Sequence, residues 1–374
     1  DEKRRALGSK EGQQEVCDWF FPAATARGYE LNIVTEIWDV LRAFASFGFC
    51  KAHAAAFALP TYQSAYLKTH HPAAFIAGVL THDPGMYPKR LMIDEARQLG
   101  VGLAPLDINY SGEQYTVERD EKGGDHVRIA LTSVSGISDK EVTSIIAGRP
   151  YIDLSDFYRR SGASHPVIET LILTGAFDRV HSLSDGAINH RDLLLHLSDL
   201  TRSPVATVAG SQMVFGFAPP DLAASGLPPM GASEKVRNEV ERLGMDITHH
   251  MLEFYAPFLN AIGAVKSSDL LSLRSQSDVL VAGIKVAMQT PPVRSGRRVI
   301  FLTLDDGYGC TDSTFFSGAQ EGFASTLYGS SILLVRGKTR RTGDRGISIN
   351  ASGAWDLRQA YEKWSRKLLE TAAK

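Results

Sequence analysis

Lys51 and His53 have the residue types and spacing most suited to chemistry. They stand in FGFCKAHAAAFA at 47–58, just after a glycine turn and at the start of an alanine-rich segment. A helix that begins there directs its unpaired backbone amides and the positive end of its dipole at whatever lies ahead, an arrangement suited to a triphosphate. The same residues also fit an ordinary helix in which Lys51 is solvated and His53 packs locally. A second candidate is Ser135-Gly136-Ile137-Ser138, within LTSVSGISDKEVTSIIAGR at 131–149. A tight glycine-centred hairpin between two helices can turn backbone amides towards a DNA phosphate without reading bases, and Lys140 would add charge. Ser138 stands where a second glycine would allow a closer backbone approach. A purely structural helical hairpin is the alternative.

Basic side chains gather in two places, Arg294, Arg297 and Arg298 in one and Arg336, Lys338, Arg340, Arg341 and Arg345 in the other, although the formal net charge is only −2. Phe301, Phe315 and Phe316 stand close by in sequence. Local positive potential beside aromatic side chains is how small barrels hold single-stranded nucleic acid. Solvated turn charges around core phenylalanines would give the same pattern.

Other chemistries find little support. The 3 cysteines, Cys17, Cys50 and Cys310, form no CxxC pair, which argues against a structural zinc site or a disulfide framework. His249-His250 is adjacent rather than at ligand spacing. Asp305-Asp306 reads as a turn and Asp94-Glu95 as a helical surface. No Ser-His-Asp set is legible, so no catalytic residue and no metal ligand is assigned.

The elements that must position these residues follow from periodicity. Within a first region at 1–88, residues 1–80 read as helical, with apolar residues at three- and four-residue spacing and breakers at Gly48, Pro60 and Pro72, and THDPGMYP at 81–88 reads as a loop. His71-Pro72 suits a helix start. Residues 89–200 read as a helix, a strand-bearing linker and tandem helix-hairpin-helix units, the second less clear, at 164–180. Residues 201–277 open with a stretch rich in Pro, Gly, Ala and Ser, expected to have little fixed structure, and continue with a helix at about 233–244. Residues 278–354 carry five short strands with a helical insert near 318–328, the pattern of an OB-fold barrel. Residues 355–374 read as a closing helix. The expected class is thus multidomain α+β.

At 374 residues the chain can bury more than one core, and 44% hydrophobic with 22% charged residues is an ordinary globular balance. Its longest apolar runs fall well short of the roughly 20 residues that span a bilayer. A reducing cytoplasm suits the cysteine usage. The opening DEKRRALGSKEGQQ has neither an initiator methionine nor a signal pattern, so the chain is expected to begin inside a longer protein.

FASFGFCKAHAAAFALPTYQSAYLKTHHPAAFIAGVLTH at 44–82 resembles the fingers signature of the bacterial C-family DNA polymerases, the DNA polymerase III alpha subunits, over some forty residues. The resemblance implies that Lys51 and His53 lie beside the incoming nucleotide's triphosphate and that Phe47 and Phe57 shape the pocket. Pro60 and the THDPGMYP loop resemble the error-prone, translesion branch. ETLILTGAFD at 169–178 is similar to the end of the family's hairpin region, with Leu171, Leu173 and Phe177 as core, and ERLGMDITHHMLEFY at 241–255 to the segment that leads to its barrel. Replicative members carry a sliding-clamp peptide nearby. Here only SQMVF at 211–215 approaches it, without a correctly spaced glutamine, so weak or no direct clamp binding and recruitment through a translesion accessory protein are expected.

Polymerase chemistry needs carboxylates that hold two metals, and neither acidic pair resembles the family's palm motif. The expectation is therefore a C-terminal polymerase portion without the palm, inactive alone. It would bind primer-template DNA, single-stranded template and dNTP, with Mg in the full-length enzyme and none bound by this fragment. The alternative is a stand-alone DNA-binding adaptor or a decayed polymerase fragment.

Overall fold

Five runs between Asp278 and Asp356, rich in Val, Ile and Thr, close into a barrel in this computed structural model. The strands are β4 (Asp278–Gln289), β5 (Ile300–Asp305), β6 (Cys310–Phe315), β7 (Ile332–Arg341) and β8 (Ile347–Asp356), ordered β4-β5-β6-β8-β7. All neighbours are antiparallel except β6 and β8, whose parallel contact closes the barrel through Ser313↔Ile349 and Thr314↔Asn350. Val279, Val281, Leu302, Leu304, Phe315, Leu333, Val335 and Ile349 fill the interior. The helical insert between β6 and β7 and the closing helix, Leu357–Ala372, lie where the sequence placed them.

The structure describes residues 10–45, 51–83, 85, 87–202, 221–291, 298–320, 322–344 and 346–372. It divides into two compact units, Asp1–Thr69 and His70–Lys374. The first contains α1 (Lys10–Thr25), α2 (Leu31–Ala45) and α3 (Lys51–His70). Phe20 stacks on Trp38 at 5.9 Å, and Val34 is buried with it. α3 runs through Pro60 without a break, with Thr61 Oγ1 donating to the Phe57 carbonyl at 2.7 Å.

The second unit begins with α4 (Pro72–His82) and α5 (Lys89–Gln98), which pack on a three-stranded sheet of β1 (Gly102–Ala104), β3 (Asp125–Arg128) and β2 (Thr116–Arg119), in that order. Three helices follow, α6 (Asp139–Ala147), α7 (Leu154–Arg160) and α8 (His165–Leu173). The first arm of the expected hairpin at 131–149 is a single 3-10 turn, Leu131–Ser133, rather than an α-helix. Tyr115 hydrogen-bonds Ser133 and the Leu131 amide donates to the Gly112 carbonyl, contacts that tie this short arm to the preceding loop.

α9 (His190–Arg202) and α10 (Ala232–Leu243) flank the Pro-rich stretch. Its described part, residues 221–231, is irregular but pinned: buried Asp192 accepts from the Ser225 amide and hydroxyl, and the Arg191 guanidinium donates to the Pro228 carbonyl. The expectation of little fixed structure fails there, because side chains of α9 satisfy its backbone.

Candidate nucleic-acid interface

The hairpin signal occurs twice. Ser135-Gly136-Ile137-Ser138 precedes α6, and Ser161-Gly162-Ala163-Ser164 joins α7 to α8, with Gly136 and Gly162 both at positive φ, 80° and 67°. Only glycine adopts that backbone without strain. One side chain ties the two turns together. Glu141 accepts from the Ser138 amide and hydroxyl and, with its other oxygen, from the Ser164 amide at 2.9 Å. Burial pushes this carboxyl up, but the three donors outweigh it and pull it down to about 2. The polar groups of Ser138, expected to meet a DNA phosphate, thus already hold the Glu141 carboxylate, and the Ser135 amide donates to the Arg242 carbonyl. Ser135, Gly136 and Lys140 are exposed beside them.

On the barrel, closure assembles what sequence distance concealed. Phe301 pairs with Thr314, Thr314 with Asn350 and Asn350 with Lys338, a row running from β5 through β6 and β8 to β7. At roughly 4.8 Å per strand, about 14 Å separate its ends. Phe301 is 45% exposed, Lys338 is exposed, and Thr314 and Asn350 are half-buried between them. Arg336 and Arg340 flank Lys338 on the same face, because alternate residues of β7 point outward. Gly337 sits at a register shift in the β7–β8 pairing, where an added Cβ would lie 2.6 Å from Ile349 Cγ2 and overlap the Asn350 carbonyl.

One expected contact is corrected. Phe315 is fully buried in the barrel core and offers no stacking face. Arg341 is exposed and donates its guanidinium to the Leu273 and Leu271 carbonyls, which fastens the segment before β4. Arg298 is exposed, and so is Phe316, just beyond β6. Arg294, Arg297, Arg345 and the SQMVF stretch lie outside the described residues.

On α3, His53 is exposed and its ring packs 4.5 Å from that of Phe57, itself 57% exposed. The side chain of Lys51 and all of Phe47 lie outside the described residues.

Comparison with known proteins agrees with this geometry. Residues 100–184 match a helix-hairpin-helix motif and residues 279–357 an OB-fold nucleic acid binding domain. An error-prone DNA polymerase of Symbiobacterium thermophilum is 31% identical over 94% of this chain and 36% of its own length. A DNA polymerase III subunit alpha of Vibrio cholerae is 30% identical over 98% of the chain and 33% of its own. The chain belongs to the family of bacterial error-prone DNA polymerases and DNA polymerase III alpha subunits. It spans about a third of the length of these family members.

Against this polymerase background, the acidic pairs do not lie where the sequence put them. Asp94 is not on a helical surface and Asp305 is not in an open turn. Both are 1% exposed and meet His250, 3% exposed, at the contact between α5 and the barrel. Three potential ligand atoms, one each from Asp94, His250 and Asp305, lie within 4.8 Å of one another. The Arg90 guanidinium donates to Asp305 at 3.2 Å and lies 3.3 Å from His250 Nε2, so a cation already occupies the group. Asp94 does lie on the apolar side of α5 in sequence, next to Ile93 and two residues before Ala96. That signal could have placed it inward. No described helix is long and apolar enough to cross a membrane.

Proposed function

We propose that this chain is the nucleotide- and DNA-handling portion of a DNA-directed DNA polymerase of the error-prone branch, one that copies past damaged template in the cytoplasm. Lys51 and His53 face the incoming dNTP, with Phe47 and Phe57 shaping its pocket. The Ser135-Gly136 turn and Lys140 grip duplex primer-template, and the barrel takes single-stranded template on the Phe301 to Lys338 row, with Arg298, Arg336 and Arg340 around it. The observation that carries this reading is that row, in which an aromatic face, two polar side chains and a basic stripe share one surface of an OB-type barrel.

Divalent metal in a full-length polymerase would activate the primer 3′ hydroxyl and stabilise the departing pyrophosphate. The buried carboxylates described here do not fit that task, since Asp305 is tied to Arg90 and Asp94 to Arg97 and both are 1% exposed. Carboxylates outside this chain would hold it. Large apolar side chains exposed on α2 and α3, among them Ile37, Val40, Leu59 and Tyr62, support a neighbour supplied by the remainder of the polymerase. Recruitment falls to a translesion accessory protein, with weak or no direct contact to a sliding clamp.

Two measurements test this. Fluorescence anisotropy of a labelled single-stranded oligonucleotide should show Phe301→Ala and Lys338→Ala weakening binding, and equal affinity in both variants would remove the barrel from the proposal. In the intact polymerase His53→Ala should raise the nucleotide KM at unchanged DNA affinity. An unchanged KM would defeat the nucleotide assignment.

A further inference from the structure

The hairpin region and the barrel have separate apolar cores. Between them lies a buried set of charges. α5 contributes Arg90, Asp94 and Arg97, the segment after α10 contributes Asp246 and His250, and the end of β5 contributes Asp305. All three carboxylates and the imidazole are at most 3% exposed. Arg97 donates to Asp94 at 2.6 Å and to the carbonyls of Asp246 and Ile247, while Arg90 reaches Asp305 at 3.2 Å and Asp246 at 3.9 Å.

Three carboxylates against two guanidiniums leave this set one positive charge short while His250 is neutral. Two buried carboxylate oxygens, Asp94 Oδ2 and Asp246 Oδ1, have no hydrogen-bond partner. An ionised carboxylate left so is costly, and neutralisation is the usual remedy. The missing charge can be a metal ion or a proton, and the geometry chooses. His250 Nδ1 accepts from the Leu252 amide at 3.3 Å, which leaves the ring hydrogen on Nε2, the atom a metal would need. That nitrogen lies 3.4 Å from Asp305 Oδ2 and 3.8 Å from Asp94 Oδ2, with the Arg90 guanidinium 3.3 Å away. A cation among these atoms would have to expel Arg90, whereas a proton has only to occupy the orphan oxygen.

We propose that one proton shared among Asp94, Asp305 and His250 latches the hairpin region to the barrel, so that the junction holds while the proton is bound and loosens when it leaves.

Burial and the neighbouring Asp305 charge raise Asp94 to about 7. Burial alone would lower His250, but its hydrogen bond to Asp305 and the charges of Asp94, Asp305 and Asp246 hold it raised. Burial likewise pushes Asp305 up, and the hydrogen bonds from His250 and the Gly307 amide hold it below its ordinary value. Groups whose folded pKa is raised stabilise the fold at low pH and lose that contribution as pH rises through the folded value. The proton on Asp94 carries this effect, since His250 Nδ1 is taken by the Leu252 amide, and the junction weakens as pH climbs from the ordinary carboxylate range to about 7. Asp305 acts in the opposite sense only in acid, below the ordinary carboxylate range.

The other ionisable neighbours do not supply the missing charge. Glu239 of α10 is engaged by the Ile247 and Thr248 amides, Glu253 by the His250 amide and Asp306 by Ser267. The Cys310 thiol at the start of β6 is pushed up to about 11 by burial and the nearby carboxylates, so it stays neutral throughout. Protons can exchange with solvent, because His250 and Arg97 also line an open cavity of about 630 Å³ between α5, α11 (Ala256–Ala261) and the barrel.

Asn at position 94 mimics the protonated acid, with its carbonyl for Arg97 and its amide for Asp305. In the whole chain, the melting temperature should fall by several degrees, roughly the shift of a modest local stability loss, as pH rises from about 5 to about 7.5, and change little beyond. Asp94→Asn should flatten that fall and Asp94→Leu should lose the junction at both pH values. An Asp94→Asn chain with the wild-type pH slope would overturn the proposal, as would stoichiometric zinc or manganese that depends on Asp94. Should the variants fail to fold, the infrared carboxylic-acid stretch of the unaltered chain decides. It must be present in mild acid and vanish as pH passes neutrality, and a spectrum without such a band refutes the latch.

Discussion

The helices of residues 10–69 and the barrel of residues 278–356 use similar apolar content to opposite ends. In the barrel, alternation sends Phe315, Leu302 and Val335 inward and leaves charge outside. In the helical unit, α2 carries a polar stripe of Asn32, Thr35, Glu36, Asp39 and Arg42, yet on its apolar side only Val34 and Trp38 of the described side chains are buried while Ile33, Ile37, Val40 and Leu41 are exposed. The apolar side of an amphipathic helix is normally covered. The difference teaches that the barrel buries its apolar side chains within its own strands, whereas the described helices leave apolar faces open.

The hardest test of that contrast is a matched pair of aromatic truncations. Phe315→Ala should cost about 3–5 kcal/mol of stability, because it empties a fully packed site. Phe57→Ala, at a side chain that is 57% exposed, should stay within about 0.5 kcal/mol. Chemical denaturation of both variants measures this. A large loss at Phe57 would mean that the helices hold themselves together after all.

Legibility in the sequence divides along the same line. The barrel could be read as five short strands with a helical insert, because its pattern is decided by its own interior. Pro60 reads as a helix breaker yet α3 runs through it, and only resemblance to a family gives its first turn a purpose, since a side chain exposed here carries no periodic signature. Phe301 and Phe315 are indistinguishable by residue type, and only the strand register puts one outside and the other inside. Asp94, His250 and Asp305 come from three segments more than fifty residues apart, so nothing local could bring them together. The same holds for Glu141, whose reach to the second turn at Ser164 is a tertiary fact.

Smaller effects sharpen the comparison within the nucleic-acid surfaces. Phe301→Ala should reduce single-strand affinity by about 1–3 kcal/mol with little change in melting temperature, the reverse of Phe315→Ala. Titration of a labelled oligonucleotide beside a thermal melt separates the two. Glu141→Ala should lower stability by about 1 kcal/mol, through loss of the capping contacts at Ser138 and Ser164. The Glu141 contribution is present above the ordinary carboxylate range and disappears only as pH falls through about 2. A melt that already weakens near pH 5 through Glu141 would contradict this cap.

The smallest expected effect is also the most specific. Arg340 and Arg341 are neighbours of equal charge, and both are exposed. Arg340 points outward beside Lys338, while Arg341 spends its guanidinium on two backbone carbonyls before β4. A phosphate contact releases counterions, so removing one should flatten the slope of log affinity against log salt by about 1. Arg340→Gln should do this with stability unchanged. Arg341→Gln should leave the slope as it was and instead lower stability by about 1 kcal/mol, as expected for lost hydrogen bonds from a charged donor. Equal slopes in the two variants would show that charge on this face acts only in bulk, and the row from Phe301 to Lys338 would then lose its claim to be the path of the strand.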